Sequence, residues 1–347
     1  MRKINQGIYN FLNASAVFNT PLLNDNSIRI WGQNHINVIQ HYNSYLTNVN
    51  APNSPGPIEK HPYIELYDDF FNLQNKFLIL GTFPPSSYFN NLGLNGLPNP
   101  NIQPNNPVHF FYGNQNNLWN FLFNINPVNI TINQIKENLI HNNISITDVF
   151  SFIQRKSMIN SDDSNLKNLV LNCRVLEIFD QGSSIETILL TSGKLATFFN
   201  AQTSTLTGLK WILEDCGSNI EDFKFSGDIT GNGLYYPINE VNLINVLNQQ
   251  DNGIVWWIKK GDKKIKVINL PSPSNIGAAR LPGSIYFSKW VLYKATVNNI
   301  PLPNQVQLQN LILNYLPLYP NIFVGPPTIQ FRREIYTMAL NNTIQLI

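Results

Sequence analysis

Cysteine is scarce in this chain of 347 residues, which contains only Cys173 and Cys216. Two thiols cannot build a disulfide framework, nor can they supply the four thiolates of an iron–sulfur cluster. Both cysteines are interpreted as buried small hydrophobes, the commonest state of a free cysteine. The five histidines show no metal-ligand spacing, so the sequence predicts neither a metal nor another cofactor.

Charged residues are also few, at 13% of the chain, against about 25% in an average protein. The 23 basic and 21 acidic residues leave a net charge of +2, which is weak support for a polyanionic partner. A basic face confined to one part of the surface is still compatible with that total.

Long apolar runs are missing as well. No stretch approaches the roughly 20 apolar residues of a membrane span, and the first residues lack the apolar run of a signal peptide. Because 43% hydrophobic residues are ample for a core, we expect a cytoplasmic globular protein without membrane contact. The nucleophile elbow, the phosphate-binding Gly-Lys-Ser/Thr loop and the dinucleotide glycine fingerprint are absent, which argues against those chemistries.

Strand and helix patterns alternate from about residue 77 to residue 290 and predict an α/β fold. Apolar or alternating segments predict strands over 77–80, 144–149 and 187–191, and a hairpin of 253–259 with 264–270 around a Gly-Asp turn. Helical spacing of apolar residues predicts helices over 119–123, 132–141, 166–179, 194–199, 306–315 and 329–340.

One predicted strand reads as the centre of the sheet. Residues 77–80 include no polar side chain and stop at Gly81, as expected of a strand that is buried on both faces. The loops at 81–85, 192–193 and 271–275 each follow a predicted strand. In open α/β sheets ligands gather at the carboxyl ends of the strands, so we expect the functional site among these loops.

Four stretches bring chemistry-bearing residues into a fixed order. They are Gly-Thr-Phe-Pro-Pro at 81–85, Tyr-Gly and Asn-Asn-Leu-Trp within 112–119, Ile-Thr-Asp-Val and a later arginine and serine within 146–157, and a Gly-Lys helix start and Pro-Ser-Pro-Ser loop at 191–196 and 270–274. Their order and spacing resemble the uracil-DNA glycosylase superfamily, closest to its hypoxanthine-DNA and mismatch-specific uracil-DNA branches. The resemblance covers roughly residues 76 to 290.

The resemblance implies a three-layer α/β/α fold with a mainly parallel central sheet. It implies a catalytic domain over 76–295, an N-terminal extension over 1–75 and a helical C-terminal extension over 296–347 packed on the core. The implied protein is a monomeric, monofunctional DNA glycosylase that needs no cofactor. It would flip a non-standard base out of DNA and hydrolyse its N-glycosidic bond, leaving an abasic site. Branches with a four-cysteine cluster are excluded.

Two residues are implied to be catalytic. Asn116 matches the family's Asn before an aromatic–Trp pair, and its neutral amide can orient a water without acting as a strong base. Asp148 follows a predicted strand, from which it could reach the base or its sugar. The alternatives are a turn-capping Asn116 and a structural Asp148 tied to Arg155 or to a backbone amide.

The first loop and the aromatic run are implied to bind the base. The candidates are Gly81, Thr82, Phe83 and Tyr112, with Phe83 stacking on the flipped base. A core position at the end of a buried strand is an equally open interpretation of Phe83. The mismatch-specific branch has Asn where this chain has Phe83, so a water-activating role is excluded there.

Six residues are implied to contact DNA. The two serines would bind a phosphate beside the abasic site, and an isoleucine would enter the space that the flipped base leaves. The set is Lys194, Ser272, Ser274, Asn275, Ile276 and Arg280. The alternatives are an ordinary proline-rich turn and a solvated lysine.

The identity of the excised base is left open. Uracil or hypoxanthine is the default of the resemblance, whereas the insertion at 93–107 and the extensions favour a roomier pocket for bulky modified cytosines of phage DNA, as in antiviral defence. The other alternative is a DNA-binding module of the same fold that has lost its chemistry. Binding alone predicts salt-sensitive association with DNA and no abasic product.

Overall fold

The structure is a computed structural model that describes part of the predicted α/β core. It describes residues 58–61, 63–64, 66–84, 108, 110–113, 117–155, 166–191, 209, 212–213, 222–226, 255–274, 287, 290–291, 294 and 327–341. Both strands and helices occur along this part of the chain. The predicted α/β class with a mainly parallel sheet is confirmed.

The described residues form nine strands in two sheets. The strands are β1 (Ile58–Lys60), β2 (Phe77–Gly81), β3 (Ile144–Asp148), β4 (Phe150–Arg155), β5 (Leu166–Leu171), β6 (Thr187–Leu190), β7 (Phe223–Ser226), β8 (Val255–Lys260) and β9 (Lys263–Asn269). The larger sheet has six strands in the order β3-β2-β6-β9-β8-β7, and the smaller has three in the order β1-β4-β5.

In the larger sheet, β3, β2, β6 and β9 are parallel neighbours. Strand β8 runs against both β9 and β7, so it alone opposes the direction of the other five strands. The predicted hairpin is confirmed as β8 and β9. Its turn contains Gly261 at a φ of 57°, a left-handed conformation that glycine adopts without steric cost.

The larger sheet is buried on both faces. Along β2, Phe77 and Ile79 join one hydrophobic cluster, whereas Leu78 and Leu80 join the other. Side chains of successive strand residues point to opposite faces, so an uninterrupted apolar run supplies both clusters. This is the physical reason why residues 77–80 contain no polar side chain.

Three helices are described, and all of them pack on the same hydrophobic cluster. They are α1 (Leu118–Phe123), α2 (Ile132–His141) and α3 (Pro327–Leu340). Helix α2 begins with a capping box, in which the Thr131 side chain accepts from the Gln134 amide and the Gln134 side chain accepts from the Thr131 amide. The helices predicted at 119–123, 132–141 and 329–340 are therefore confirmed, and those at 194–199 and 306–315 lie outside the described residues.

The helix predicted over 166–179 is wrong. Its first half is strand β5, which pairs antiparallel with β4, and its second half is a 3-10 helix at Cys173–Phe179. Pairing with β4 supplies hydrogen bonds that a local apolar pattern does not reveal, and the register of this pair shifts twice. Such irregular pairing obscures the period of two that identifies a strand.

The interpretation of the cysteines is wrong for Cys173. This residue is exposed at the start of the 3-10 helix, and it is disulfide-bonded rather than a free thiol. The buried positions of that helix belong to Val175, Ile178 and Phe179. Cys216 lies outside the described residues.

The domain boundaries at residues 75 and 295 stay predictions. Within the predicted N-terminal extension, β1 pairs with β4 of the core. Within the predicted C-terminal extension, α3 packs against α1 through Phe121 and Tyr336, whose ring centroids are 5.5 Å apart. Both regions thus contact the strands and loops that carry the candidate site. No helix among the described residues has the length and apolarity to cross a membrane.

Candidate active site

The parallel strands of the larger sheet end at one edge. Gly81 ends β2 and is aligned with Asp148, the last residue of β3, while Leu190 of β6 is aligned with Asn269 of β9. Thr191 directly follows β6 and donates its amide to the Leu80 carbonyl, at 3.4 Å. This edge is where the sequence predicts a functional site.

Asp148 forms a buried pair with His61. The His61 Nε2 atom lies 2.8 Å from Asp148 Oδ2, and the two residues are 2% and 4% exposed. The chain positions them through the smaller sheet. His61 follows β1 and continues the pairing with β4 by donating its amide to the Ser151 carbonyl, at 2.7 Å. Because β4 starts two residues after Asp148, the pairing delivers His61 to the carboxylate.

The hydrogen bonds of His61 determine its tautomer. Its Nδ1 atom accepts from the backbone amides of Tyr63 and Ile64, at 3.0 and 3.1 Å. An acceptor nitrogen has no proton, so the ring proton is on Nε2 and is donated to Asp148. The imidazole is therefore neutral, and both of its nitrogens are engaged. His61 positions the carboxylate and has no lone pair left with which to act as a base.

The second carboxylate oxygen of Asp148 is buried without a hydrogen bond. Asp148 Oδ1 has no partner among the described residues. A buried polar atom left unpaired costs about 1–3 kcal/mol, so such atoms are rare and often belong to functional sites. One oxygen of this carboxylate is thus held by His61, and the other keeps its capacity to accept a hydrogen bond.

Gly81 makes room for that open oxygen. A Cβ atom at this position would overlap both Asp148 Oδ1 and the Tyr112 hydroxyl, and would lie 2.8 Å from Tyr112 Cζ. The two polar atoms therefore converge over the Gly81 backbone. Only glycine leaves this space, which explains why the central strand ends with it.

Tyr112 is held in an uncommon backbone conformation. Its φ is 63° and that of Gly113 is 54°, so two consecutive residues are left-handed. A bulky residue at positive φ is strained and persists only where its surroundings hold it. Trp119 supplies one restraint, because its indole Nε1 donates to the Gly113 carbonyl at 2.7 Å. A hydrogen bond between the Tyr112 and Thr191 hydroxyls supplies another.

Phe83 lies beside the His61–Asp148 pair, within the core. Its ring meets the His61 imidazole edge-on, with centroids 4.9 Å apart, and the residue is 7% exposed. Phe111 contacts the same imidazole at 5.4 Å. The core interpretation of Phe83 fits these contacts, and the aromatic wall shields the hydrogen bond between His61 and Asp148. Thr82 is buried as well.

Helix α3 holds the loop that follows β9, residues 271–274, through side-chain hydrogen bonds. Arg332 donates to the carbonyls of Ser272 and Ser274, at 3.1 and 3.0 Å. The Tyr336 hydroxyl donates to the Pro271 carbonyl at 2.9 Å. The Asn117 amide, at the start of α1, donates to the Pro273 carbonyl at 3.3 Å. The loop is therefore tied both to α3 and to the segment that follows Tyr112.

Asn269 is a second residue with unpaired buried atoms. Neither atom of its side-chain amide has a hydrogen bond within the described part of the chain. Asn269 is aligned with Leu190 and, through it, with Leu80, one residue before Gly81. Its side chain is therefore on the opposite face of the sheet from Asp148 and is not part of the same cluster.

Of the predicted site residues, the structure brings Gly81, Tyr112 and Asp148 together. Ser272 and Ser274 lie in the anchored loop, where their hydroxyls are 3.0 Å apart. The residues that lie outside the described part of the chain are Asn116, Lys194, Asn275, Ile276 and Arg280. The described partner of Asp148 is His61, and the side chain of Arg155 lies outside the described part of the structure.

Three residues of the site region were not predicted: His61, Arg332 and Tyr336. The only sequence signal for Arg332 is its position within an apolar stripe of α3, four residues before Tyr336. His61 has no local signal. The described residues contain no group of three or more His, Cys, Asp or Glu side chains that could hold a metal ion.

No protein-family model matches this chain, and neither a curated protein nor a solved structure matches it. The chemistry of the site therefore has to be argued from its own geometry.

Proposed function

We propose that this chain is a DNA glycosylase that hydrolyses the N-glycosidic bond of a non-standard base. The observation that carries the proposal is the Asp148 carboxylate at the carboxyl edge of the sheet, with one oxygen held by His61 and the other unpaired. The order of motifs that resembles the uracil-DNA glycosylase superfamily adds support. The three-layer fold and a catalytic domain over 76–295 are parts of the same proposal.

The reaction needs a proton acceptor and negative charge near the sugar. Breaking the bond between C1′ and the base leaves an oxocarbenium-like sugar, which a nearby carboxylate stabilises. Water attacks C1′, its proton passes to Asp148 Oδ1, and the electrons of the broken bond leave with the base. The departing base takes up a proton from solvent, and Asp148 then returns its proton to solvent, which closes the balance.

The other residues have supporting roles in this proposal. Asn116 orients the attacking water, which its neutral amide can do without removing the proton. Tyr112 and Thr191 present hydroxyls beside the carboxylate, and these can bind the polar edge of a flipped base. Phe83 packs on His61 and offers no polar atom, so Asp148 provides the acceptor that position 83 lacks.

The proposed substrate is DNA, and the proposed protein is a cytoplasmic monomer that needs no cofactor. Uracil and hypoxanthine are the first bases to test. Bulky modified cytosines of phage DNA are the alternative within the same reaction class, with a role in antiviral defence.

A second candidate is a DNA-binding module without catalysis. The observation that favours it is Phe83, which stands where the mismatch-specific branch has a polar residue and is buried here. In that case the unpaired oxygen of Asp148 would accept a hydrogen bond from a bound base, and no bond would break.

The test is to incubate the full chain with oligonucleotides that contain uracil, hypoxanthine or modified cytosines, and with modified phage DNA. Released base and alkali-labile abasic sites are measured under single-turnover conditions. Asp148→Asn and Asn116→Ala are run beside the wild type. Asp180→Asn, an exposed carboxylate outside the site, is the matched control.

We expect abasic sites on at least one substrate from the wild type and Asp180→Asn, with a large loss in both site variants. Abasic sites that persist in Asp148→Asn would remove the proposed catalytic role of this carboxylate. Salt-sensitive DNA binding without base release from any substrate would favour the binding module.

A further inference from the structure

The loop of Pro271–Ser274 has all four of its carbonyls turned toward protein donors. Tyr336 and Asn117 donate to the carbonyls of the two prolines, and Arg332 donates to those of the two serines. In a trans peptide the N–H points away from the preceding C=O. The amides of Ser272 and Ser274 therefore point away from Tyr336 and from Asn117, respectively.

Arg332 is a buried cation without an anionic partner. It is 1% exposed, and no carboxylate in the described part of the chain pairs with it. Its Nε donates to the Thr328 carbonyl at 3.1 Å, and its guanidinium lies 4.7 Å from the centroid of the Phe121 ring. Burying a charge is costly, and the carbonyls of Thr328, Ser272 and Ser274 offset that cost, which ties the loop to α3.

Arg332 fixes the peptides that follow Ser272 and Ser274, whereas Tyr336 and Asn117 fix the two peptides that contain the Ser272 and Ser274 amides. The Ser272 and Ser274 hydroxyls lie 3.0 Å apart, and the Ser274 amide donates to the Ser272 hydroxyl at 3.3 Å. The Ser274 amide is thus used within the loop, and the groups that would meet an anionic oxygen are the Ser272 amide and the paired hydroxyls. Tyr336 keeps its proton, because burial raises the pKa of its hydroxyl.

We propose that Arg332, together with Tyr336, positions the Pro271–Ser274 loop to bind a phosphodiester of DNA. Helix α3 therefore supports the binding site. This inference rests on the proposed function for the identity of the anion. Arg332 and Tyr336 do not touch the DNA; they act through the loop.

The chain contains a matched control for Arg332. Arg333 is the next residue of α3, is exposed, and donates to Asn120 Oδ1 at 2.9 Å. Arg332→Lys keeps the charge, but one ammonium nitrogen cannot replace Nη1, which donates to Ser272 and Ser274, and at the same time Nε, which donates to Thr328. Tyr336→Phe removes a single donor and keeps the ring. Arg333→Lys exchanges arginine for lysine at a position that has no described contact with the loop. All variants are made in the full chain and checked by thermal melting.

Two measurements test the proposal. Hydrogen exchange of the peptide that covers 270–274 reports the order of the loop, whether or not the protein is an enzyme. Affinity for a fluorescein-labelled duplex with a tetrahydrofuran abasic-site analogue, measured over a range of salt concentrations, reports the grip on phosphate. Base release at saturating DNA separates a binding defect from a chemical one.

Arg332→Lys and Tyr336→Phe should speed exchange in the loop and weaken duplex binding, by about tenfold for Arg332→Lys. Base release at saturating DNA should change little, and Arg333→Lys should behave as the wild type. The proposal would be overturned if hydrogen exchange of the loop were unchanged in both Arg332→Lys and Tyr336→Phe. It would also be overturned if Arg333→Lys weakened duplex binding as much as Arg332→Lys. A further outcome is that the wild type releases no base while Arg332→Lys and Tyr336→Phe still speed exchange in the loop and weaken duplex binding. In that case the glycosylase assignment fails, and the positioning role of Arg332 and Tyr336 stands.

Discussion

Two buried charged side chains of this protein, Asp148 and Arg332, are satisfied to different degrees. Asp148 uses one oxygen with His61 and leaves the other unpaired, whereas Arg332 donates to three carbonyls and lies over an aromatic ring. An unpaired buried oxygen costs stability and is therefore a candidate for direct chemistry. A guanidinium that donates to three carbonyls holds backbone in place. The comparison separates a residue that acts on a ligand from a residue that positions others.

Asp148→Asn should produce the largest effect on activity. The substituted amide oxygen can still accept from His61 Nε2, so the local fold should persist. The proton acceptor is lost, and the rate of base release should fall by about 10²–10⁴-fold. The measurement is single-turnover base release with circular dichroism as the check on folding. A loss of less than tenfold in the rate of base release would show that the unpaired oxygen is not the proton acceptor.

Arg332→Met should instead act on stability. Three carbonyls lose their donor, and we expect the free energy of unfolding to fall by about 2–3 kcal/mol. Arg333→Met, in the exposed neighbour, should change it by less than about 0.5 kcal/mol. Denaturant unfolding of both variants measures the difference. Equal values would remove the distinction between the buried and the exposed arginine.

Gly81→Ala tests the space over which Asp148 and Tyr112 converge. The added methyl overlaps both side chains, so overpacking should lower the free energy of unfolding by about 1–3 kcal/mol. Displacing Asp148 Oδ1 should also slow base release by about tenfold or more. Gly182→Ala is the control, because nothing lies within 4 Å of its added Cβ. Full activity in Gly81→Ala would mean that the oxygen is not held where the reaction needs it.

Tyr112→Phe should have the smallest effect. It removes one hydroxyl, which bonds to Thr191, and should reduce the rate by about fivefold, or about 1 kcal/mol. A double-mutant cycle with Thr191→Val measures the coupling, since the two hydroxyls share one hydrogen bond. Additive effects would show that the hydroxyls contribute separately.

Much of the larger sheet could be predicted from local patterns. The apolar run of β2 predicts a strand buried on both faces, and the Gly-Asp turn predicts the hairpin of β8 and β9. Helix α2 carries both its apolar spacing and its capping box within a few residues. The apolar pattern of β5 indicates a helix, because the hydrogen bonds that make it a strand come from β4 through a shifted register.

The candidate site was predicted in part. Gly81, Tyr112 and Asp148 were singled out from motifs, and the structure brings them together. The alternative partner for Asp148, Arg155, was plausible because it is near in sequence. The described partner, His61, is 87 residues away and has no motif.

The sequence by itself determined where the strands of the parallel sheet run and which loops follow them, because burial on one or two faces sets the spacing of apolar side chains. Only the tertiary structure decided which charged groups meet at the ends of those strands. Arg332 and Ser272 are 60 residues apart, and pairing across such distances depends on how sheets and helices pack. Local periodicity contains no information about that packing. The hydrogen bonds between distant residues can be read only from the three-dimensional structure.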